Sequence, residues 1–188
     1  MLFLALESHI FAQAKIEIRI DNLQDSTLYL LRYRGEKTFA VDTSHLKRGK
    51  AVFERKTPYK EGVYLLTNSM KQPVLQIFMG KDQTFSIHVK DIMNPETIKV
   101  KGGKENAAFY EIIRETKRIN MNIMALNSEI SYYPENKKQI DSLKLALLDY
   151  QESFLSKDTT SFLNIYIKSL LEITTPNSLI DNEIKSRD

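Results

Sequence analysis

The sequence predicts an α+β fold: an N-terminal antiparallel β-sandwich or barrel-like sheet of about seven to eight strands, then a helical hairpin and a third short helix. Three observations predict it. From Lys15 to Lys101, apolar residues alternate with polar ones in short runs split by turn residues. From Lys104 onward they recur at three- and four-residue steps. Gly102-Gly103 stands between the two regimes, inside TIKVKGGKENAAFYEII.

The strands follow in order. Ile16, Ile18 and Ile20 alternate with Glu17 and Arg19, the pattern of a half-buried strand. Residues 21–26, DNLQDS, are turn chemistry. Further strands are expected at Thr27–Tyr33, Thr38–Thr43, Ala51–Arg55, Gly62–Thr67, Val74–Met79, Thr84–Val89 and Thr97–Lys101. Their spacing of roughly 8–12 residues is that of antiparallel sheets. No helical pattern separates them, which argues against a parallel α/β sheet.

Beyond Gly103, the residues Phe109, Ile112, Thr116, Ile119, Ile123, Leu126 and Ile130 place a narrow seam along one long helix. Ser131-Tyr132-Tyr133-Pro134 ends it. A second helix, from about Glu135 to Phe154, carries Ile140, Leu143, Leu147, Tyr150 and Phe154. Two seamed helices with a short connection fold back as an antiparallel pair. Asp158-Thr159-Thr160 offers an N-cap for a third helix, with Phe162, Ile165, Tyr166, Leu170 and Ile173 as its apolar stripe, stopped before Pro176. The expected domains are therefore a leader at 1–14, a β-domain at 15–103, a helical linker domain at 104–176 and a flexible tail at 177–188.

The leader, MLFLALESHIFAQA, joins a short apolar run to Ala12-Gln13-Ala14, the small-residue pattern after which signal peptidase cuts. It reads as the tail of a signal peptide, which places the protein in the periplasm or cell envelope. The apolar run is far below the ~20 residues that span a bilayer, so no stable membrane span is expected.

Composition narrows the chemistry. The chain has 188 residues, 42% of them apolar, enough to build a core. Cysteine is absent, which excludes disulfides, thiol nucleophiles, CxxC redox pairs and thiolate metal sites in this chain. Residues 15–103 hold 16 Lys/Arg against 10 Asp/Glu, a bias too mild and scattered for a nucleic-acid surface. Arg32, Arg34, Lys37, Lys47, Arg48 and Lys50 carry much of it, without any RNA-binding motif.

No catalytic, cofactor-binding or metal residue is expected. His9, His45 and His88 lack the paired spacing of metal ligands and read as surface histidines. Asp21, Asp25 and Asp42 read as turn caps. Asp42-Thr43-Ser44-His45 shares residue types with a catalytic triad, but neighbours in one turn do not hold that geometry. Lys101-Gly102-Gly103-Lys104 lacks the spacing of a phosphate loop and reads as a joint that starts a helix.

The order of these features resembles a known family. Ile16-Glu17-Ile18-Arg19-Ile20, Thr27-Leu28-Tyr29-Leu30, Gly62-Val63-Tyr64-Leu65-Leu66 and the junction Gly102-Gly103-Lys104-Glu105-Asn106-Ala107-Ala108-Phe109 are similar to the N-terminal β-domain of unknown function that precedes thioredoxin-like domains in bacterial envelope thiol–disulfide oxidoreductases. Residues 160–170, followed by Pro176, resemble the helical linker of the same proteins. The resemblance implies a non-catalytic accessory module without cofactor, whose partner is a thioredoxin-like domain or an envelope client protein. The alternative it leaves is a stand-alone envelope binding or assembly module. The CxxC pair of those relatives lies in a domain that these residues do not include, so no catalytic residue carries over.

Overall fold

A computed structural model describes residues 14–21, 23–24, 26–155 and 161–174. Residues 1–13 of the leader, Asn22, Asp25, residues 156–160 with the expected N-cap, and the tail from 175 lie outside them, whereas Ala14, the leader's last residue, is buried at the start of the first strand. Eight strands in two sheets are followed by three helices, the α+β architecture read from the sequence. The described residues form two compact units, divided between Ala107 and Ala108.

The first unit holds β1 (Ala14–Ile20), β2 (Thr27–Arg34), β3 (Lys37–His45), β4 (Lys50–Arg55), β5 (Gly62–Thr67), β6 (Pro73–Met79), β7 (Thr84–Val89) and β8 (Ile98–Gly102). A 3-10 turn at Pro95–Thr97, capped by the Asn94 side chain, leads into β8. One sheet has the order β4-β1-β7-β8 and the other β3-β2-β5-β6. Ile16, Ile18, Leu28, Leu30, Phe53 and Leu66 are fully buried. The period of two thus turns one face of β1 inward, as its alternation dictates.

All neighbouring pairs but one are antiparallel. β1 and β7 run parallel, with Ile16 beside Phe85 and Ile18 beside Ile87. A parallel pair needs a crossover, and here the intervening strands, most of them in the other sheet, provide it in place of a helix.

Side chains bridge both openings between the sheets. Where β3 passes β4, the buried Ser44 hydroxyl donates to the Val52 carbonyl at 2.8 Å and accepts the Val52 N–H at 3.0 Å. On the other side, β6 has no strand beyond it. The Asn106 carboxamide takes that place: it accepts the Phe78 N–H and donates to the Phe78 carbonyl, both at 2.8 Å. One amide thus imitates a rung of a β-ladder and satisfies two buried backbone groups.

The helices are α1 (Lys104–Ser128), α2 (Asn136–Leu155) and α3 (Phe162–Thr174). In the second unit, the Asn136 amide lies 3.5 Å from the Leu126 carbonyl, and Tyr150 feels the charges of Glu111, Arg114 and Glu115. The start of α2 therefore meets the end of α1, and its later turns meet α1's beginning, which makes the pair antiparallel. Ile112, Ile119 and Ile140 of the seams are buried, while Ile130, past the end of α1, is exposed. The stripe expected on α3 is corrected. Ile165 is 58% exposed, and Leu163, Asn164 and Ile167 are the buried residues among those described; the Leu170 and Ile173 side chains lie outside the described residues. Apolar residues cover a broad arc of this short helix, from Ile165 through Phe162, Tyr166 and Leu163 to Ile167, so spacing alone did not define which part of the arc is inside.

Candidate functional site

A polar cluster of the β-unit joins the β4–β5 loop to β3 and to the residues before β7. The loop is held by Gln83, a buried residue just before β7. Its carboxamide accepts the Tyr59 N–H at 2.7 Å and donates to the carbonyls of Tyr59 and Gly80 at 2.8 and 2.9 Å. Tyr59 is thereby fixed, and its hydroxyl donates to Asp42 Oδ2. The Arg55 guanidinium stands 4.7 Å from the Tyr59 ring centroid, within cation–π range. Tyr64 meets Tyr59 edge to face at 6.0 Å and donates its hydroxyl to the Lys60 carbonyl at 2.7 Å.

Electrostatics keep both phenols protonated. Burial first, then the hydrogen bond to Asp42, pushes Tyr59 well above the ordinary tyrosine range. Burial also raises Tyr64, against the opposing charges of Arg32 and Arg55. A hydroxyl with a raised pKa is a hydrogen-bond donor rather than a base. Both phenols are spent inside the cluster, on Asp42 and on the Lys60 carbonyl, and the network holds the loop.

The histidines are placed differently from one another. His45 is the last residue of β3, not part of a turn, and its Nδ1 lies 3.1 Å from Thr27 Oγ1. His88 Nε2 lies 3.0 Å from Asp21 Oδ2, with Arg19 Nε 3.3 Å from Oδ1. The imidazole, then the guanidinium, hold the Asp21 carboxyl below the usual range. Asp42 is likewise corrected: it lies within β3 and takes the Tyr59 hydroxyl, besides the N–H of Thr43. His9 and Asp25 lie outside the described residues. No group of three acidic or imidazole side chains able to hold a metal occurs among the described residues.

The basic residues do not gather. Arg32, Arg34 and Lys37 sit at one end of β2 and β3, whereas Lys47 and Arg48 follow the other end of β3. Nine residues of strand put ~26 Å between those ends, at ~3.3 Å per residue. Lys50 is engaged by Glu17 at 2.7 Å, which also lowers the Glu17 pKa.

The Gly102-Gly103 junction is packed rather than open. Both glycines have positive φ, +74° and +55°. A Cβ on Gly102 would stand 2.7 Å from the Thr84 carbonyl, and one on Gly103 2.8 Å from the Phe85 ring. The Gly103 N–H points at Asp82 Oδ2, 3.3 Å away. A carboxylate thus occupies the place an anion would take at this helix start, which excludes the phosphate-loop geometry.

Sequence periodicity does not reveal Tyr59, Gln83 or Asp42 as one group. They come from a loop, a turn and an edge strand, and only the fold brings them together. Asn106 stands in the junction that carries the resemblance, but the sequence assigned it no role.

A two-sheet β-domain whose last strand passes directly into a helix, with the helix's first turn bound back to the sheet, defines the class. Residues 14–109 match the family model described as a domain of unknown function, DUF4369, and the chain belongs to that family. No curated protein matches the chain.

Proposed function

We propose that this chain is a non-catalytic accessory module of the cell envelope that serves a thioredoxin-like thiol–disulfide oxidoreductase, by positioning the redox domain or by gathering its clients. The observation that carries the reading is the junction. Asn106 binds the first turn of α1 to β6, and the two glycines pack that turn's entry on Phe85. The ordered resemblance to domains that precede a redox domain supplies the kind of partner. The absence of cysteine removes thiolate chemistry from the chain itself, since exchange requires an attacking thiolate.

A titration of the isotope-labelled chain tests this, with an envelope thioredoxin-like domain in one arm and an unfolded disulfide-containing client in the other. Saturable amide shifts with either support the reading, and unchanged spectra with both overturn it. The second reading, a stand-alone envelope binding module, is favoured by the exposed methionines and tyrosines where α1 turns into α2. Such a module would bind an envelope component while remaining silent to the redox domain.

A further inference from the structure

The turn between α1 and α2 carries a concentration of exposed apolar side chains. Met121 and Met124 are 59% and 71% exposed, Ile130 38%, Tyr132 81% and Tyr133 52%. Glu129 is the one charged residue from Ile119 to Pro134. An exposed α-helical surface normally carries charges on its outer face, so this stretch has the wrong chemistry for water alone.

Charge gathers just behind it. From Lys117 to Lys138, four basic residues (Lys117, Arg118, Lys137 and Lys138) face two acidic ones (Glu129 and Glu135). Residues 104–188 taken together hold 11 basic against 13 acidic residues. The helical half is thus net negative, whereas the stretch around the tip is net positive; Arg118 there is already paired with Glu115, which leaves Lys117, Lys137 and Lys138 as its outward basic groups. Lys137 and Lys138 are exposed in the first turn of α2.

We propose that this tip, residues 119–134, docks on an anionic lipid bilayer surface. Met121, Met124, Ile130 and the tyrosine pair enter the boundary between headgroups and acyl chains, and Lys137 and Lys138 meet the headgroups. Tyrosine suits that boundary because its ring is apolar and its hydroxyl stays wet. The tip is the turn of a two-helix hairpin. Among the described residues no helix is long and apolar enough to cross a membrane, so this attachment is peripheral and reversible. The inference stands apart from the redox reading and survives its failure.

The chain has no cysteine, so one introduced thiol labels one site. An environment-sensitive dye on Ser131→Cys reports the tip, and the same dye on Glu36→Cys reports the β-domain. Both are titrated with phosphatidylglycerol–phosphatidylcholine vesicles and with phosphatidylcholine alone. The expected result is a blue shift at 131, quenched by brominated lipid, with the dye at 36 silent. Adding Met124→Ser, Tyr132→Ser and Tyr133→Ser should raise the half-maximal lipid concentration by about tenfold. Lys137→Ser with Lys138→Ser should raise it several-fold on anionic vesicles, as should high salt. If the triple variant melts earlier than its parent, the lysine pair decides. No response at 131, a response unmoved by these changes, or equal binding to neutral vesicles overturns the proposal. So does a dye shift that follows protein concentration without lipid, which would make the tip an interface between copies.

Discussion

Two side chains, Asn106 and Tyr59, connect elements that the backbone ladders leave apart. Asn106 is buried and gives both its polar atoms to Phe78. Asn106→Ala would strand a buried N–H and a buried carbonyl at about 1–3 kcal/mol each. The expected loss is roughly 2–4 kcal/mol in urea unfolding, and Asn106→Asp should lose at least as much, because a carboxylate cannot donate to the carbonyl. Tyr59 gives a pH signature. Its folded-state pKa is raised, so its contribution is complete below the unfolded tyrosine value of about 10. That contribution is lost as pH rises above it toward the folded value. Thermal melting followed from about pH 8 upward should therefore show a decline that sets in near pH 10 and that Tyr59→Phe reduces. Tyr59→Phe itself should cost about 1 kcal/mol at neutral pH, by leaving Asp42 without its phenol. Asp21 acts in the opposite direction. Its pKa is lowered by His88 and Arg19, so that pair's small contribution is present above the unfolded aspartate value and fades as pH falls.

At the scale of elements, the helical seams make the sharpest comparison. Ile119 is 4% exposed on the inner face of α1, and Met124, one turn further on, faces outward. Ile119→Ala should cost about 2–4 kcal/mol and Met124→Ala no more than about 0.5 kcal/mol, read by chemical denaturation. Equal costs would mean that the seam is not packed. Much of this was legible beforehand. Alternation in Ile16-Glu17-Ile18-Arg19-Ile20 defines which face of β1 is inside, and three-four spacing defines the inner faces of α1 and α2. Other features were not legible, for physical reasons. The parallel pairing of β1 with β7 depends on strand order, which local alternation does not encode. The inner edge of α3 could not be picked out, because Phe162, Leu163, Ile165, Tyr166 and Ile167 spread over a broad arc of the helix. The Gln83–Tyr59–Asp42 network joins residues up to 41 positions apart, and polar residues in turns look alike until the turns are placed.

At the scale of the whole molecule, a β-unit and a helical unit share one chain, and the family match covers residues 14–109. The chain without cysteine should show no insulin-reduction rate above buffer, since no thiolate is available to attack the disulfide. The role proposed for it is to make another domain's chemistry more effective. That claim is tested most directly by steady-state kinetics. An envelope thioredoxin-like domain is assayed on a disulfide-bonded client, alone and fused after Asp188. The account predicts a several-fold higher kcat/KM for the fusion, carried by a lower KM with kcat little changed, as expected when a module adds binding rather than chemistry. Identical kcat/KM values for the two proteins would contradict it.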